Sequence, residues 1–329
     1  MGHPVRRPSV PQVRARLRHE SRRLARRALE ILGQGERLDV FLARRRALRA
    51  LTPGGWHQQL LTLLESGVAL STTGRWASAS RDSVPLVVCL WNRPERIDDI
   101  IAMLESLDPT RPVRLLLWNN AVDERDSYAW LQDHEPRGAL ASIDLVHSAA
   151  NIGGLARFVA VRLLRNAGYE GPVLMLDDDQ DVTPSFVGDL LANYQPRSIV
   201  AWWAFDFGPS YWDRVQINPG DSADHGGTGG TVLDSSLVDD DRFFLSLPER
   251  YAFLEDQWMS HYARSLGWTI VKADTEIGFV LEHKNQYHGL HERKDEFHLH
   301  LKDGTVTTGR PLRSSSRGRR RGRFHQAGS

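Results

Sequence analysis

Three consecutive aspartates, Asp177, Asp178 and Asp179, form the densest group of chemically active side chains in this sequence. They follow the apolar run 172–176 directly, as a polar turn follows a buried strand. Adjacent carboxylates repel one another and need a counter-charge, which a hard divalent cation such as Mn²⁺ or Mg²⁺ can supply. A solvated acidic turn that caps the helix predicted from Pro184 explains the same residues, and both interpretations stay open.

A second acidic pair, Glu255 and Asp256, lies about 77 residues further along and opens the predicted helix 254–266. A carboxylate at hydrogen-bonding distance can take the proton of a reacting hydroxyl. We assign that role to Asp256, with Glu255 as the neighbour that contacts substrate. The alternative is structural, because acids in a first helical turn stabilise the helix dipole without any chemistry.

Alternating strands and helices must position these acids. Continuous apolar runs predict strands at 84–90, 113–118, 142–147 and 172–176. Helical periodicity between them indicates an α/β fold with a mostly parallel sheet flanked by helices. Ligands bind beyond the carboxyl ends of such strands. These ends carry the three aspartates, Asn92 with Arg93, and Asn119 with Asn120.

Two glycine-rich segments are further candidates for ligand contact. Gly153 and Gly154 begin the predicted helix 154–166, where backbone amides favour anions such as phosphate. Asn151 precedes them and Arg157 follows one turn later; a tight strand-to-helix turn explains the glycines equally well. The second segment, 226–230, lacks the Lys-Ser/Thr of a P-loop, which excludes that kind of ATP site.

Taken in order, these motifs resemble those of the GT-A glycosyltransferases, in particular family-2-like members. The resemblance covers about residues 84–290 and rests on Asn92-Arg93, the segment 151–157, the aspartates 177–179 and Glu255-Asp256. It implies a GT-A, Rossmann-like fold. It also implies metal-dependent, inverting transfer of a sugar from a nucleoside-diphosphate sugar to an acceptor hydroxyl.

The resemblance further implies roles for individual residues. It places Mn²⁺ or Mg²⁺ on Asp177, Asp179 and His283, and it makes Asp256 and Glu255 the catalytic pair. The implied donor contacts are Asn92, Arg93, Asn119, Asn120, Asn151, Gly153, Gly154, Arg157, Asp177 and Asp178. The implied sugar and acceptor contacts are Gly229, Gly230, Thr231 and Trp212. Many family members read uracil with an aspartate where this chain has Asn119-Asn120, so the base is left open.

Charge is distributed unevenly along the 329 residues. Residues 1–50 hold 14 arginines against four acids, a charge of +10, and residues 310–329 hold seven arginines and no acid. Since the whole chain is at +1, the segment 51–309 carries −16. We therefore predict a basic helical N-terminal extension and linker at 1–80, a GT-A domain at 81–305 and a disordered basic tail at 306–329.

Composition limits the class of protein and its partners. With 41% hydrophobic and 25% charged residues the chain is neither collagen-like nor mostly disordered. No apolar run approaches the ~20 residues of a membrane span, and the single Cys89 indicates a reducing compartment, so we expect a cytoplasmic location. The basic arms suit a polyanion such as nucleic acid or an anionic membrane surface at the inner face.

The acceptor is the most open part of this interpretation. A glycan or lipid-linked glycan is the expected acceptor. One alternative is a modified nucleic-acid base, and another is a GT-A module that binds sugar nucleotides without catalysis. A nucleotidyltransferase would need a basic glycine-rich loop after the first strand, which residues 91–94 do not supply.

Overall fold

A nine-stranded sheet is the central element of the computed structural model, which describes residues 55–70, 82–280, 290–303 and 324–326. Numbered in chain order, its strands lie side by side as β12 (Thr269–Lys272), β7 (Ser198–Ala201), β11 (Thr231–Asp234), β5 (Pro172–Asp177), β2 (Val84–Leu90), β3 (Val113–Asn119), β4 (Leu140–His147), β1 (Val68–Leu70) and β14 (Phe324–Gln326). Five neighbouring pairs are parallel and three are antiparallel. The predicted α/β class with a mostly parallel sheet is confirmed.

Helices and two small sheets complete the described part of the chain. The helices are α1 (Trp56–Ser66), α2 (Ile97–Glu105), α3 (Leu155–Asn166), α4 (Phe186–Ala192), α5 (Arg242–Leu245), α6 (Glu255–Ser265) and α7 (His291–Lys302). One small sheet has the order β10 (His225–Gly226), β8 (Ala204–Phe207), β9 (Arg214–Gln216); the other pairs β13 (Ile277–Phe279) with β6 (Gln180–Val182). A 3₁₀ turn, Pro94–Arg96, directly precedes α2.

The two faces of the sheet are covered by different helices. In β2, Leu86, Val88 and Leu90 lie in one buried cluster together with the apolar faces of α2 and α4. The opposite face contacts α3, and α1 packs against α3 in turn. Because side chains alternate across a strand, a strand covered on both faces must be apolar throughout, which explains the continuous apolar runs of the sequence.

This topology brings three strand ends to one edge. β2 lies between β3 and β5 and runs parallel to both, so their carboxyl ends meet at the same side of the sheet. Leu90 is in register with Asn119, and Cys89 with Asp177. The polar residues after β2, β3 and β5 are therefore neighbours in space, as the sequence predicted.

Both predicted flanking segments contribute to the sheet where they are described. α1 and β1 belong to the predicted extension and linker, yet β1 pairs with β4. Three residues of the predicted disordered tail, Phe324–Gln326, form β14 beside β1. The helices predicted within 1–54, the linker residues 71–81 and the other tail residues lie outside the described residues. In the ranges given above, none of the helices has the length and apolar character needed to cross a membrane.

The sheet core should dominate the stability of the protein. Leu117 in β3 is fully buried in the cluster with α2, whereas Leu299 in α7 is 48% exposed. We predict that Leu117→Ala lowers the free energy of unfolding in urea by about 2–5 kcal/mol, since it leaves a cavity. Leu299→Ala should change it by less than about 0.5 kcal/mol. Equal losses in the two variants would contradict this placement of the core.

Candidate functional site

An arginine holds the aspartate turn that follows β5. Arg93 donates from Nη1 to Asp178 Oδ1 at 2.6 Å and from Nη2 to Asp179 Oδ2 at 3.2 Å, and the backbone N–H of Trp91 donates to Asp178 Oδ2 at 3.0 Å. Burial raises the pKa of Asp178 to about 7 despite Arg93. Burial, followed by the charge of Asp177, raises the pKa of Asp179 to about 6. Part of the counter-charge that these carboxylates require therefore comes from the protein.

A second arginine, Arg157 of α3, holds Asp177. Because Asp177 is in register with Cys89 on β2, both side chains point to the face covered by α3. Arg157 Nη2 donates to Asp177 Oδ1 at 2.7 Å, and its Nε and Nη1 atoms are buried without a hydrogen-bond partner in the described structure. Burial opposes its charge, yet the carboxylates of Asp177 and Glu255 raise the pKa of Arg157. Burial also raises the pKa of Cys89 to about 11, which keeps that thiol protonated.

The acidic pair of α6 reaches the same place. An added Cβ at Gly154 would lie 1.7 Å from Glu255 Oε1, and one at Gly153 would lie 2.5 Å from the ring of Phe253. Gly153 also has a positive φ of 61°. The glycine pair is therefore required by the approach of segment 253–255, which is a structural reason for it that the sequence had not suggested.

The two acids of the pair have opposite electrostatic surroundings. Burial raises the pKa of Glu255 to about 7, and the charge of Asp256 adds to the shift while Arg157 opposes it. Burial acts on Asp256 too, but Lys294 and His225 outweigh it and lower its pKa. Lys294 Nζ lies 3.9 Å and His225 Nε2 3.7 Å from Asp256 Oδ2. Asp256 is therefore ionised at neutral pH.

Asn119 and Asn120, at the end of β3, form hydrogen bonds within the adjoining loops. Asn120 accepts from the Ile152 N–H at 3.2 Å and donates to Gly153 O at 3.1 Å. Asn119 accepts from the Ala121 N–H at 2.8 Å, and its amide nitrogen lies 3.1 Å from the ring of His147. Their predicted contact with a base stays a prediction.

Two more of the predicted donor asparagines shape their turns. Asn151 accepts from the Gly153 N–H at 2.8 Å, which closes the turn before α3. Asn92 adopts a positive φ of 36° between β2 and Arg93. A ligand role for either side chain also stays a prediction.

The second glycine-rich segment meets Asp177. An added Cβ at Gly229 would lie 2.3 Å from Asp177 Oδ2, so this glycine leaves space beside the carboxylate. Gly230 needs its positive φ of 70°, and Thr231 is buried, its hydroxyl donating to Gly227 O. Trp212 stacks on His291 of α7 with ring centres 3.8 Å apart. Of the predicted sugar contacts, Gly229 is the one placed directly against a predicted site carboxylate.

Two residues of this cluster were missed by sequence reasoning. Lys294 lies in α7, outside all of the sequence motifs, and His225 directly precedes the glycine-rich segment 226–230. The scarcity of lysine offered a weak signal, since the chain has only four against 38 arginines. Nothing in the local sequence ties either residue to Asp256.

Two of the three predicted metal ligands, Asp177 and Asp179, lie in the described part of the chain. His283 lies outside the described residues, and within those ranges no three His, Cys, Asp or Glu side chains are grouped as metal ligands. Asp177 and Asp179 remain as a pair, each with one oxygen on an arginine. The space left by Gly229 beside Asp177 Oδ2 suits a cation that takes one or two carboxylates and fills its remaining positions with phosphate oxygens and water. The pair therefore fits Mg²⁺ or Mn²⁺ of that kind.

Comparison with known proteins identifies no family for this chain. No protein-family model matches the chain, and no curated protein does. Among solved structures, the chain is similar to the inositol-1-phosphate CTP transferase from T. maritima, with 11% identity and a TM-score of 0.37 over 71% of this chain and 100% of that one. Membership of the GT-A family stays a prediction from the sequence motifs.

The ion pair of Arg157 should contribute more to stability than a surface pair on the same helix. We predict that Arg157→Met lowers the free energy of unfolding by about 2–3 kcal/mol, the lower end for a buried pair because Asp177 is 35% exposed. Arg165→Met, which removes the more exposed pair with Asp239, should cost less than about 1 kcal/mol. Urea denaturation of both variants at pH 7 tests this, and an equal cost would refute a central role for Arg157.

Proposed function

We propose that the protein is a GT-A-type glycosyltransferase that moves a sugar from a nucleoside-diphosphate sugar to an acceptor hydroxyl with inversion. The observation that carries the proposal is the convergence of two acidic motifs, 77 residues apart, at the carboxyl edge of the sheet. Arg157 binds Asp177 of the first motif and lies within electrostatic range of Glu255 of the second. Such convergence is what a reaction needs when a leaving group and a proton acceptor must be held together.

In this proposal Asp177 and Asp179 hold Mn²⁺ or Mg²⁺, with His283 as the third ligand. A bound cation supplies charge stabilisation for the leaving diphosphate. The Nε and Nη1 nitrogens of Arg157 have no hydrogen-bond partner among the described residues, and they suit an anionic donor group beside Asp177. Arg93 holds Asp178 and Asp179 in place from the other side of the turn.

Asp256 is the proposed general base. Its side chain is partly accessible, at 19% exposure, and the charge of Lys294 helps to keep it ionised. Glu255, with its raised pKa, is the partner that contacts donor or acceptor. Base and leaving group on opposite sides of the sugar would give single displacement with inversion, by the same geometric argument that applies to glycosidases.

We propose a glycan or lipid-linked glycan as the acceptor. The charge of −16 on residues 51–309 supports an uncharged acceptor over nucleic acid, since a polyanion would be repelled from the site. The basic segments 1–50 and 310–329 would then contact an anionic membrane surface.

The direct test is a panel of nucleotide sugars incubated with the full-length protein and Mn²⁺, scored by release of nucleoside diphosphate. Release from at least one donor, abolished by EDTA and restored by Mn²⁺, is expected. If no donor binds in calorimetry and none is consumed with any acceptor, the proposal fails.

Donor binding should depend on Asp179 and not on its exposed neighbour. We predict that Asp179→Asn weakens Mn²⁺-dependent binding of the donor at least ~10-fold, because it removes a proposed metal ligand. Asp181→Asn, two residues away and half-exposed beside Arg96, should leave binding unchanged. Calorimetric titrations with and without EDTA test this. Unchanged affinity in Asp179→Asn, with the fold intact, would remove Asp179 from the metal site.

Asp256 should be more important for turnover than for donor affinity. We predict that Asp256→Asn lowers turnover ~10²–10⁴-fold, the range for loss of a general base, while donor affinity stays nearly the same. Steady-state kinetics and donor titration on one preparation test this, with Asp181→Asn as the control. Near-normal turnover in Asp256→Asn would transfer the role to Glu255.

A further inference from the structure

A buried lysine from outside every sequence motif faces the proposed base. Lys294 lies in α7 with only 8% of its surface exposed, and its Nζ is 3.9 Å from Asp256 Oδ2 and 3.4 Å from the Tyr211 hydroxyl. Burying an ammonium group is unfavourable unless an anion compensates for it. Of the anions that raise the pKa of Lys294, Asp256 has the largest effect, so each group compensates for the burial of the other.

The helix α7 is fixed around this lysine. Gln257, the residue after Asp256, donates from Nε2 to Lys294 O at 3.1 Å. Asp295 accepts from the Tyr211 N–H at 2.9 Å, and Glu296 accepts from the Tyr251 hydroxyl at 2.9 Å. These bonds hold the backbone on both sides of the ammonium group, so its position beside Asp256 is set by the fold.

His225 faces the same oxygen but cannot replace the lysine. It is fully buried, and its Nε2 atom has no hydrogen-bond partner in the part of the chain that the structure describes. Its Nδ1 atom lies 3.4 Å from Ser260 Oγ. Burial lowers the pKa of His225 to about 4, so the ring is neutral at pH 7. Near neutrality, the cation within 4 Å of this oxygen is therefore Lys294.

Other charges reach the pair from the surrounding elements. Arg157 of α3 and Glu255 of α6 act on Asp256, but Arg157 is hydrogen-bonded to Asp177. Burial lowers the pKa of Lys294, and Arg214 of β9 adds to that shift, while Asp256 first and then Glu255 and Asp177 oppose it.

We propose that Lys294 is a positioning residue that keeps the Asp256 carboxylate ionised and fixed for proton transfer, so that docking of α7 completes the site. The inference rests on the proposed function for its catalytic meaning. The ion pair itself is independent of that function, and the two can be tested separately.

The first test is the pH dependence of turnover. Ionised Asp256 is the active form, so activity falls as the pH drops through its pKa. Removing the lysine raises that pKa, and the acid limb of log kcat for nucleoside-diphosphate release should move up by about 1–2 pH units in Lys294→Met. The profile is measured with donor and Mn²⁺ saturating, so that titration of Asp179 does not set the limb. Turnover at about pH 8 should change far less. Lys294→Arg should keep the acid limb within about 0.5 unit of the unaltered protein, because it retains the charge.

Two controls separate this effect from general disturbance. Lys302→Met removes the other lysine of α7, which is exposed, and should leave the profile unchanged. His225→Asn removes the second group that lowers the pKa of Asp256, and it should move the acid limb less than Lys294→Met does, because the ring is charged only near pH 4 and below. An unshifted acid limb in Lys294→Met, or equal shifts in Lys294→Met and Lys302→Met, would overturn the proposal.

The second test needs no activity. The loss of unfolding free energy in Lys294→Met should be larger at pH 7, where Asp256 would be left as an unpaired buried carboxylate, than at pH 4, where it can be protonated. In the Asp256→Asn background this dependence on pH should disappear. If Lys294→Met does not fold, Lys294→Gln takes its place in both tests. If the loss of unfolding free energy does not depend on pH, the ion pair is refuted. If the ion pair is confirmed but no donor is consumed, only the proposed function is refuted.

Discussion

One buried guanidinium, that of Arg157, makes the arrangement of acids in this protein possible. It bonds to Asp177 at the end of β5 and compensates for Glu255 at the start of α6, with Cys89 of β2 beside it. Without a cation at this point, two carboxylates from distant parts of the chain would repel one another inside the fold. Arginine suits the position because it stays charged when buried and can bond in several directions.

The carboxyl groups of this site have different surroundings, and their pKa values differ accordingly. Asp178 and Glu255 are buried deeply enough that burial outweighs their arginine neighbours, and their pKa values rise to about 7. Asp256 is comparably surrounded, but Lys294 and His225 lower its pKa instead. Residues adjacent in sequence thus differ in protonation because they face different elements. Pairs of acids whose pKa values are driven apart are typical of sites that divide the roles of proton acceptor and ligand contact.

The sequence was sufficient to predict the four neighbouring parallel strands β5, β2, β3 and β4 and the edge at which the acids meet. Strands such as β2 and β5 are apolar throughout because helices cover both faces, and their polar ends are therefore conspicuous. The partners of those ends were not predictable from local pattern. Arg93 was assigned to the donor and proved to hold Asp178, and Lys294 contacts Asp256 from 38 positions away through the packing of α7. Gly153 and Gly154 were predicted to let a phosphate approach the backbone, whereas the side chains next to them in the structure are those of Phe253 and Glu255. Pairings of this kind are decided by tertiary contacts, which a single sequence does not encode locally.

The antiparallel strand β11 lies between β5 and β7, with Thr231 in register with Met175 and Ala201. Because β11 runs antiparallel to β5, it begins at the edge of the sheet where β5 ends. The residues that precede β11 therefore lie beside Asp177. The last of them is anchored, because the Gly230 N–H donates to Met175 O at 3.0 Å. The segment before it is bonded to β12 of the same sheet, because the Gly220 N–H donates to Lys272 O at 2.9 Å and the Lys272 N–H donates to Asp221 O at 3.0 Å. Residues 208–222 also include Tyr211, whose N–H donates to Asp295 of α7. Evolution or design can therefore exchange this segment only together with its partners in β12 and α7.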